Sequence, residues 1–265
     1  MIGRNLGPRE GLSSLSDEWK FNKSFVDRVR RLEKRGYCGW RRVRGDGNCF
    51  YRAVGFGLLE QLVAAKPLRR LMYLTTLRDQ LASITYQDDA AKAAAHADLI
   101  ERVERLRCGD AWEAPCGADA EMTPLGLLYR NLQNPGETAD LALVRALRRL
   151  TANYIRNHAD EFTTSESGIS YRDIAMATGF EDVEDFCGRI VLPDGEDAET
   201  LCQHALPAAL GVVVRIVFLD RREGGPDSES LDFCAGPRRE GEWVVHVQLR
   251  PGHYDLLYWH EAAEW

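Results

Sequence analysis

Gly45-Asp46-Gly47-Asn48-Cys49-Phe50-Tyr51-Arg52-Ala53 sets a single cysteine behind a glycine-bearing turn, at the point where an apolar run begins. From Cys49 onward, Phe50, Ala53, Val54, Phe56, Leu58, Leu59 and Leu62 leave almost no polar face, so the pattern predicts a central helix buried on nearly all sides. Gly55 and Gly57 lower its helix propensity, which points to close packing against a neighbour. A helix N-terminus has unpaired backbone N–H groups and partial positive charge. A thiol placed there is favoured as thiolate, and the same N–H groups can receive a developing oxyanion. One step outward, Trp40 to Val43 reads as a short strand leading into the turn.

A cysteine nucleophile needs a base, and the base needs a partner that fixes its orientation. Near the other end the chain reads Val244-Val245-His246-Val247-Gln248-Leu249-Arg250-Pro251-Gly252-His253-Tyr254-Asp255-Leu256-Leu257-Tyr258. Two strand-like runs flank an Arg-Pro-Gly turn, which predicts a β-hairpin. In an extended chain the period of two puts His253 and Asp255 on one face and Tyr254 on the other. The expected set is therefore Cys49 as nucleophile, His253 as general base and acid, and Asp255 as its orienter. Asp46 is either a turn residue or, through its backbone N–H together with that of Cys49, part of an oxyanion hole. Gly47 and Asn48 of the same turn are expected to line the substrate, and Asn48 also to serve the turn itself.

The two segments together resemble the ovarian-tumour (OTU) domain cysteine proteases, specifically the otubain, or peptidase C65, branch of deubiquitinating enzymes. Weaker similarity lies in Asp185-Phe186-Cys187 with Val191, and in Leu219-Asp220-Arg221-Arg222-Glu223-Gly224-Gly225, so the resemblance runs from about Phe25 to Tyr258. It implies a papain-like domain that hydrolyses the bond between the C-terminal glycine of ubiquitin and a lysine amine, without metal or organic cofactor. It implies ubiquitin and polyubiquitin chains as partners, with ubiquitin-conjugating enzymes as further candidates. It supports the oxyanion role of Asp46, a residue also counted as the catalytic aspartate in such families. It places part of the ubiquitin-binding surface at Glu199, Thr200 and Gln203. Two alternatives stand beside it: a ubiquitin- or conjugating-enzyme-binding regulator with little catalysis, and a protease for a ubiquitin-like modifier. The intact Cys49, His253 and Asp255, and an N-terminal arm shorter than conjugating-enzyme binders carry, argue against the first.

A chain of 265 residues with 45% hydrophobic content can bury a large core. No repeat, linker or break in composition divides it, so one domain is expected over residues 20–260, behind an N-terminal arm over residues 1–19. The net charge of −7 argues against a nucleic-acid partner. Leu206 to Leu219 is the longest apolar stretch, and Pro207, Gly211 and Arg215 break it, so no membrane span is expected. Met1 to Ser16 has no apolar signal core. A cytoplasmic monomer, with a nuclear location also open, is the expectation. Seven cysteines without a Cys-x-x-Cys pair argue against a disulfide scaffold, and the spacing of Cys108 and Cys116 argues against zinc. Lys20 to Arg44 is strongly basic and Glu181 to Glu199 acidic, the latter complementary to the basic tail of ubiquitin.

The remaining pattern is helical early and extended late. Ser14 and Ser16 can cap a first helix striped by Phe21, Phe25, Val26, Val29 and Leu32 and stopped at Gly36. Leu68 to Ile84, Asp89 to Leu106 and Ala139 to His158 read as helices, Gly109 to Glu121 as a loop, and Ala198 to Leu210 as a helix in which Pro207 sits poorly. Val212 to Leu219, Trp243 to Leu249 and His253 to Tyr258 read as strands. The expected fold is α+β and papain-like, a small, late, antiparallel-rich sheet flanked by helices.

Overall fold

In the computed structural model the described residues are 3–87, 89–112, 121–135, 138–163, 168–219, 230–234 and 241–260. Their first half forms β1 (Leu6–Glu10), α1 (Leu12–Glu18), α2 (Lys23–Lys34), β2 (Tyr37–Val43), α3 (Cys49–Ala64), α4 (Pro67–Ala82) and α5 (Ala90–Cys108). Then follow α6 (Pro124–Gln133), α7 (Thr138–Asn157), α8 (Tyr171–Ala177), α9 (Val183–Phe186), a π-helical turn (Cys187–Val191) and α10 (Thr200–Leu210). The chain closes with β3 (Val213–Phe218), β4 (Ser230–Phe233), β5 (Val244–Arg250) and β6 (His253–Trp259).

The strands make one six-stranded sheet in the order β1-β2-β6-β5-β3-β4. All neighbours are antiparallel except β3 and β5. The mixed α and β class agrees with expectation, but the sheet is not confined to the end of the chain. β1 and β2 come from the first 43 residues, with β2 pairing onto β6 and β1 onto β2. Residues 6–18, expected as an arm, supply an edge strand and a helix of this fold. β1 carries one fully buried apolar residue, Leu6, so it shows no alternation to read.

The single expected N-terminal helix is two. The chain breaks between them at Trp19–Asn22, and Asn22, not Ser14 or Ser16, accepts the Phe25 N–H as the cap of α2, at 3.1 Å. Phe21 is 95% exposed and lies outside the apolar stripe. Leu12, Leu15, Phe25, Val29 and Leu32 of this pair pack on Tyr37, Trp40, Val217 and Leu257, covering one face of the sheet.

The other face carries α3, buried along nearly its whole length. Its glycines face its two neighbours. A Cβ at Gly57 would come within 2.7 Å of Leu256 and 2.9 Å of Val245 on the sheet, and one at Gly55 within 2.7 Å of Leu147 on α7. α3 is thus clamped between β5, β6 and α7, which fixes the position of its first residue, Cys49. Helices α6, α8 and α9 were not anticipated; α6 starts at Pro124 behind a Thr123 cap, and α8 behind a Ser170–Asp173 capping box. α10 includes Pro207 as a buried residue. Of the expected loop from Gly109 to Glu121, residues 113–120 lie outside the described residues, as do residues 220–225 of the segment from Leu219 to Gly225.

Candidate active site

Cys49 is the first residue of α3 and is 2% exposed. The hairpin of β5 and β6 brings the histidine to it: Arg250 pairs with His253 across Pro251 and Gly252, the latter at φ +69°. Alternation along β6 then has the expected effect, and the His253 Nε2 lies 2.9 Å from the Asp255 Oδ1. This leaves Nδ1 to face the cysteine loop, where a Cβ built on Gly45 would lie 3.2 Å from it. Burial disfavours the imidazolium, but the hydrogen bond to the Asp255 carboxylate and the influence of the Cys49 side chain outweigh it, and the His253 pKa is raised to about 9.

Asp255 is completely buried and saturated with donors. Its Oδ1 accepts the Val43 N–H at 2.8 Å besides the imidazole, and its Oδ2 accepts the Gln248 amide at 3.1 Å and the Arg250 guanidinium. Burial would raise its pKa; His253, Arg250 and the Val43 N–H together hold it below the ordinary value. β2, β5 and β6 therefore all contribute to fixing one carboxylate, a job that no single segment could do.

Asp46 sits elsewhere. Its carboxylate takes two hydrogen bonds from Arg52, at 2.8 and 3.1 Å, and one from the Asn48 N–H at 3.1 Å. Burial raises its pKa, and the Arg52 bonds overcome this and lower it. Arg52, 2% exposed, is held in turn by Asp140 of α7 through contacts of 2.9, 3.1 and 3.0 Å. Of the two candidate aspartates, Asp255 bonds the imidazole and Asp46 ties down the turn.

Gly47 and Asn48 contact the protein's own chain. Gly47 has φ +74°, and a Cβ there would fall 1.7 Å from the Gly195 carbonyl oxygen. The Asn48 Oδ1 accepts the Gly195 N–H at 3.1 Å and two N–H groups of Arg148 at 2.8 and 3.2 Å. Gly47→Ala is expected to unfold or displace this turn, because alanine resists the left-handed region and no side chain stands there that could move aside. Thermal melting should show a loss of several degrees. Gly45→Ala should melt near the parent while crowding the imidazole and slowing turnover.

Glu199 and Thr200 are exposed at the start of α10. Gln203, one turn on, is half-buried and donates to the Tyr254 hydroxyl at 2.7 Å. Tyr254 packs on Phe50 with ring centroids 5.1 Å apart, so Gln203 belongs to the wall beside Cys49. Arg52, Asp140 and Arg148 escaped the sequence reading, although a signal existed for the last: Val144, Arg148, Thr151 and Ile155 lie on one helix face and all are 0% exposed. A lone arginine in a buried stripe marks a polar contact in the core. Among the described residues no group of three or more His, Cys, Asp or Glu could hold a metal ion.

A family model described as Peptidase C65 Otubain matches residues 3–259. The chain is 29% identical to the OVARIAN TUMOR DOMAIN-containing deubiquitinating enzyme 1 of Arabidopsis thaliana, covering 96% of this chain and 80% of that protein. It is also 29% identical to human ubiquitin thioesterase OTUB1, over 88% of this chain and 75% of that one. Among solved structures it is similar to h/ceOTUB1 in complex with ubiquitin aldehyde and UBCH5B~Ub, with a TM-score of 0.72, 22% identity, and coverage of 97% of this chain and 91% of that chain. At that identity the likeness is one of fold.

Proposed function

This chain belongs to the peptidase C65 otubain family, and from that premise we propose that it is a deubiquitinating cysteine isopeptidase, cleaving the bond between the ubiquitin C-terminal glycine and a lysine amine. The observation that carries the reading is the imidazole of His253, hydrogen-bonded through Nε2 to a buried carboxylate and turned with Nδ1 toward the loop that presents the thiol at the start of α3. His253 takes the proton of Cys49, and the thiolate attacks the glycine carbonyl to form the Sγ–C bond. The Asn48 N–H is already given to Asp46, and we assign the oxyanion to the backbone N–H groups of Asp46 and Cys49 in the same turn. His253 passes its proton to the departing lysine Nζ as the C–N bond breaks. It then takes a proton from the water that hydrolyses the thioester. Asp255 keeps the ring oriented and favours its charged form throughout.

The functional test is incubation with diubiquitins of every linkage beside a ubiquitin carrying a C-terminal electrophile. Cleavage of at least one linkage and a one-to-one adduct are expected; neither with any linkage would overturn the reading. Because the leaving amine must be protonated by the imidazolium, isopeptide cleavage should hold below a pH of about 9 and fall as the pH rises through it, following the raised His253 pKa. A cleavage rate still climbing at pH 10 would contradict that assignment.

The distal ubiquitin, whose tail enters the site, is assigned to the surface at Glu199, Thr200 and Gln203. Glu196, Asp197 and Glu199 are exposed there, and their charge suits a basic tail. Reversing the three to lysine is expected to raise KM for diubiquitin several-fold at low salt with kcat unchanged, and the effect should fade as salt is added. An unchanged KM at low ionic strength would return these residues to plain solvated surface.

A further inference from the structure

The turn that presents Cys49 is pinned from two sides. Asp46 is held by Arg52, as described. On the opposite side stands Arg148 of α7, which is 0% exposed. Its Nη2 donates to the Gly47 carbonyl at 3.0 Å, the Asn48 Oδ1 at 2.8 Å and the Glu196 carbonyl at 2.6 Å. Its Nε reaches the Asn48 Oδ1 at 3.2 Å, and its Nη1 the Val191 carbonyl at 3.0 Å and the Ile190 carbonyl at 3.4 Å. Its guanidinium also lies 4.3 Å from the centre of the Tyr51 ring. Among the described residues it pairs with no carboxylate.

A buried guanidinium without a counter-charge is a poor way to stabilise a core, since its desolvation is costly and an apolar side chain of similar volume would fill the space. What it supplies is direction. The peptide joining Gly47 to Asn48 is planar and trans, so its C=O and N–H point opposite ways. Arg148 takes the C=O, and the Asp46 carboxylate takes the N–H. Rotating that peptide would break both bonds together. The plane that precedes Cys49 is therefore locked, and with it the aim of the backbone N–H groups on either side.

We infer that Arg148 is a positioning residue for the oxyanion: acting through Gly47 and Asn48, it holds the turn from Asp46 to Cys49 so that its free N–H groups point at the reacting carbonyl oxygen. This deepens the functional reading and rests on it. Arg148 takes no part in the Cys49–His253 proton exchange, and that separation makes the role measurable. Alkylation of a thiolate by iodoacetamide creates no oxyanion, whereas attack on a carbonyl does.

The experiment compares the parent chain with Arg148→Lys and Asn48→Ala, each checked for folding by thermal melting. Alkylation of Cys49 by iodoacetamide is followed by peptide mass across pH, and kcat and KM are measured on a fluorogenic ubiquitin C-terminal amide. Arg148→Lys should alkylate within about two-fold of the parent with the same pH profile. Its kcat should fall about 100-fold, the scale of one lost oxyanion donor, with KM little changed. Ubiquitin aldehyde, whose adduct also develops an oxyanion, should bind more weakly in parallel. Should Arg148→Lys not fold, Asn48→Ala carries the test, because it removes the shared acceptor and keeps the arginine's carbonyl bonds; the same split between alkylation and kcat is expected at about ten-fold. Alkylation that falls in step with kcat, or a kcat within three-fold of the parent, would overturn the inference. Where the parent cleaves a diubiquitin but not the amide, kcat and KM are measured on that diubiquitin; a parent chain inactive on both would count instead against the isopeptidase reading.

Discussion

Replacing Cys49 by alanine is expected to take isopeptide cleavage to background and to remove the single adduct formed with a ubiquitin-based electrophile. Cys49 is the cysteine at the start of a long buried helix, and the charge of the nearby His253 imidazole is coupled to it. Its buried rivals are poor nucleophiles: burial pushes the Cys187 thiol up to about 12 and the Cys202 thiol up to about 11. Exposed Cys108 lies at the C-terminal end of α5, away from any helix N-terminus that could receive an oxyanion. Because nucleophile and base act as one unit, His253→Ala should lose nearly as much turnover as Cys49→Ala, about ten-thousand-fold or more, and the double variant little beyond either. Intact-mass analysis decides the matter: one added ubiquitin on the parent, none on Cys49→Ala. An adduct that persists in Cys49→Ala would sink the assignment.

The second large effect separates the two aspartates. Asp255→Asn keeps size and shape but replaces one acceptor oxygen with a donor. If the amide nitrogen takes the Oδ1 position it meets the Val43 N–H and the protonated His253 Nε2; if it takes the Oδ2 position it meets Gln248 and Arg250. Either orientation sets donors against donors in a site with no access to water. The imidazole can answer only by giving up its Nε2 proton, which leaves Nδ1 protonated and unable to take the thiol proton. Turnover should fall about ten-thousand-fold, the scale seen when a buried triad carboxylate becomes an amide. Asp46→Asn keeps its backbone N–H and loses only part of its hold on Arg52, so a loss nearer ten-fold is expected. Steady-state kinetics on the two variants, with ubiquitin affinity measured separately, gives the ranking. The opposite order would make Asp46 the carboxylate that acts in catalysis.

The parts of this site that could be read in advance are those whose physics is short-ranged. Cys49 at a helix start follows from the glycine-bearing turn and the apolar run behind it. His253 and Asp255 on one face follow from the period of a strand, and the tight packing of Gly55 and Gly57 from the absence of their side chains. β1 was harder, and of β2 only Trp40 to Val43 was legible as a strand. β2 hides the buried Arg41, whose guanidinium is taken up by the Tyr258 hydroxyl at 2.9 Å and the Gly7 carbonyl at 2.8 Å, so its charge reads as surface. The break between α1 and α2 was missed for a similar reason: Phe21 looks like part of a stripe, and only the packed structure shows it pointing to solvent.

Local sequence sets the groups from which the proposed chemistry is built: a thiol at a helix N-terminus, and an imidazole two residues from a carboxylate on an extended chain. Both are local, because helix and strand periods relate neighbours a few residues apart. What fixes the Asp255 carboxylate and what holds the cysteine turn are set by tertiary packing. Asp255 is fixed by donors from three strands, and Asn48 by an arginine 100 residues further along the chain. A buried polar group must find its partner wherever the fold brings one within about 3 Å, and that distance depends on the packing of the whole core rather than on any spacing along the chain.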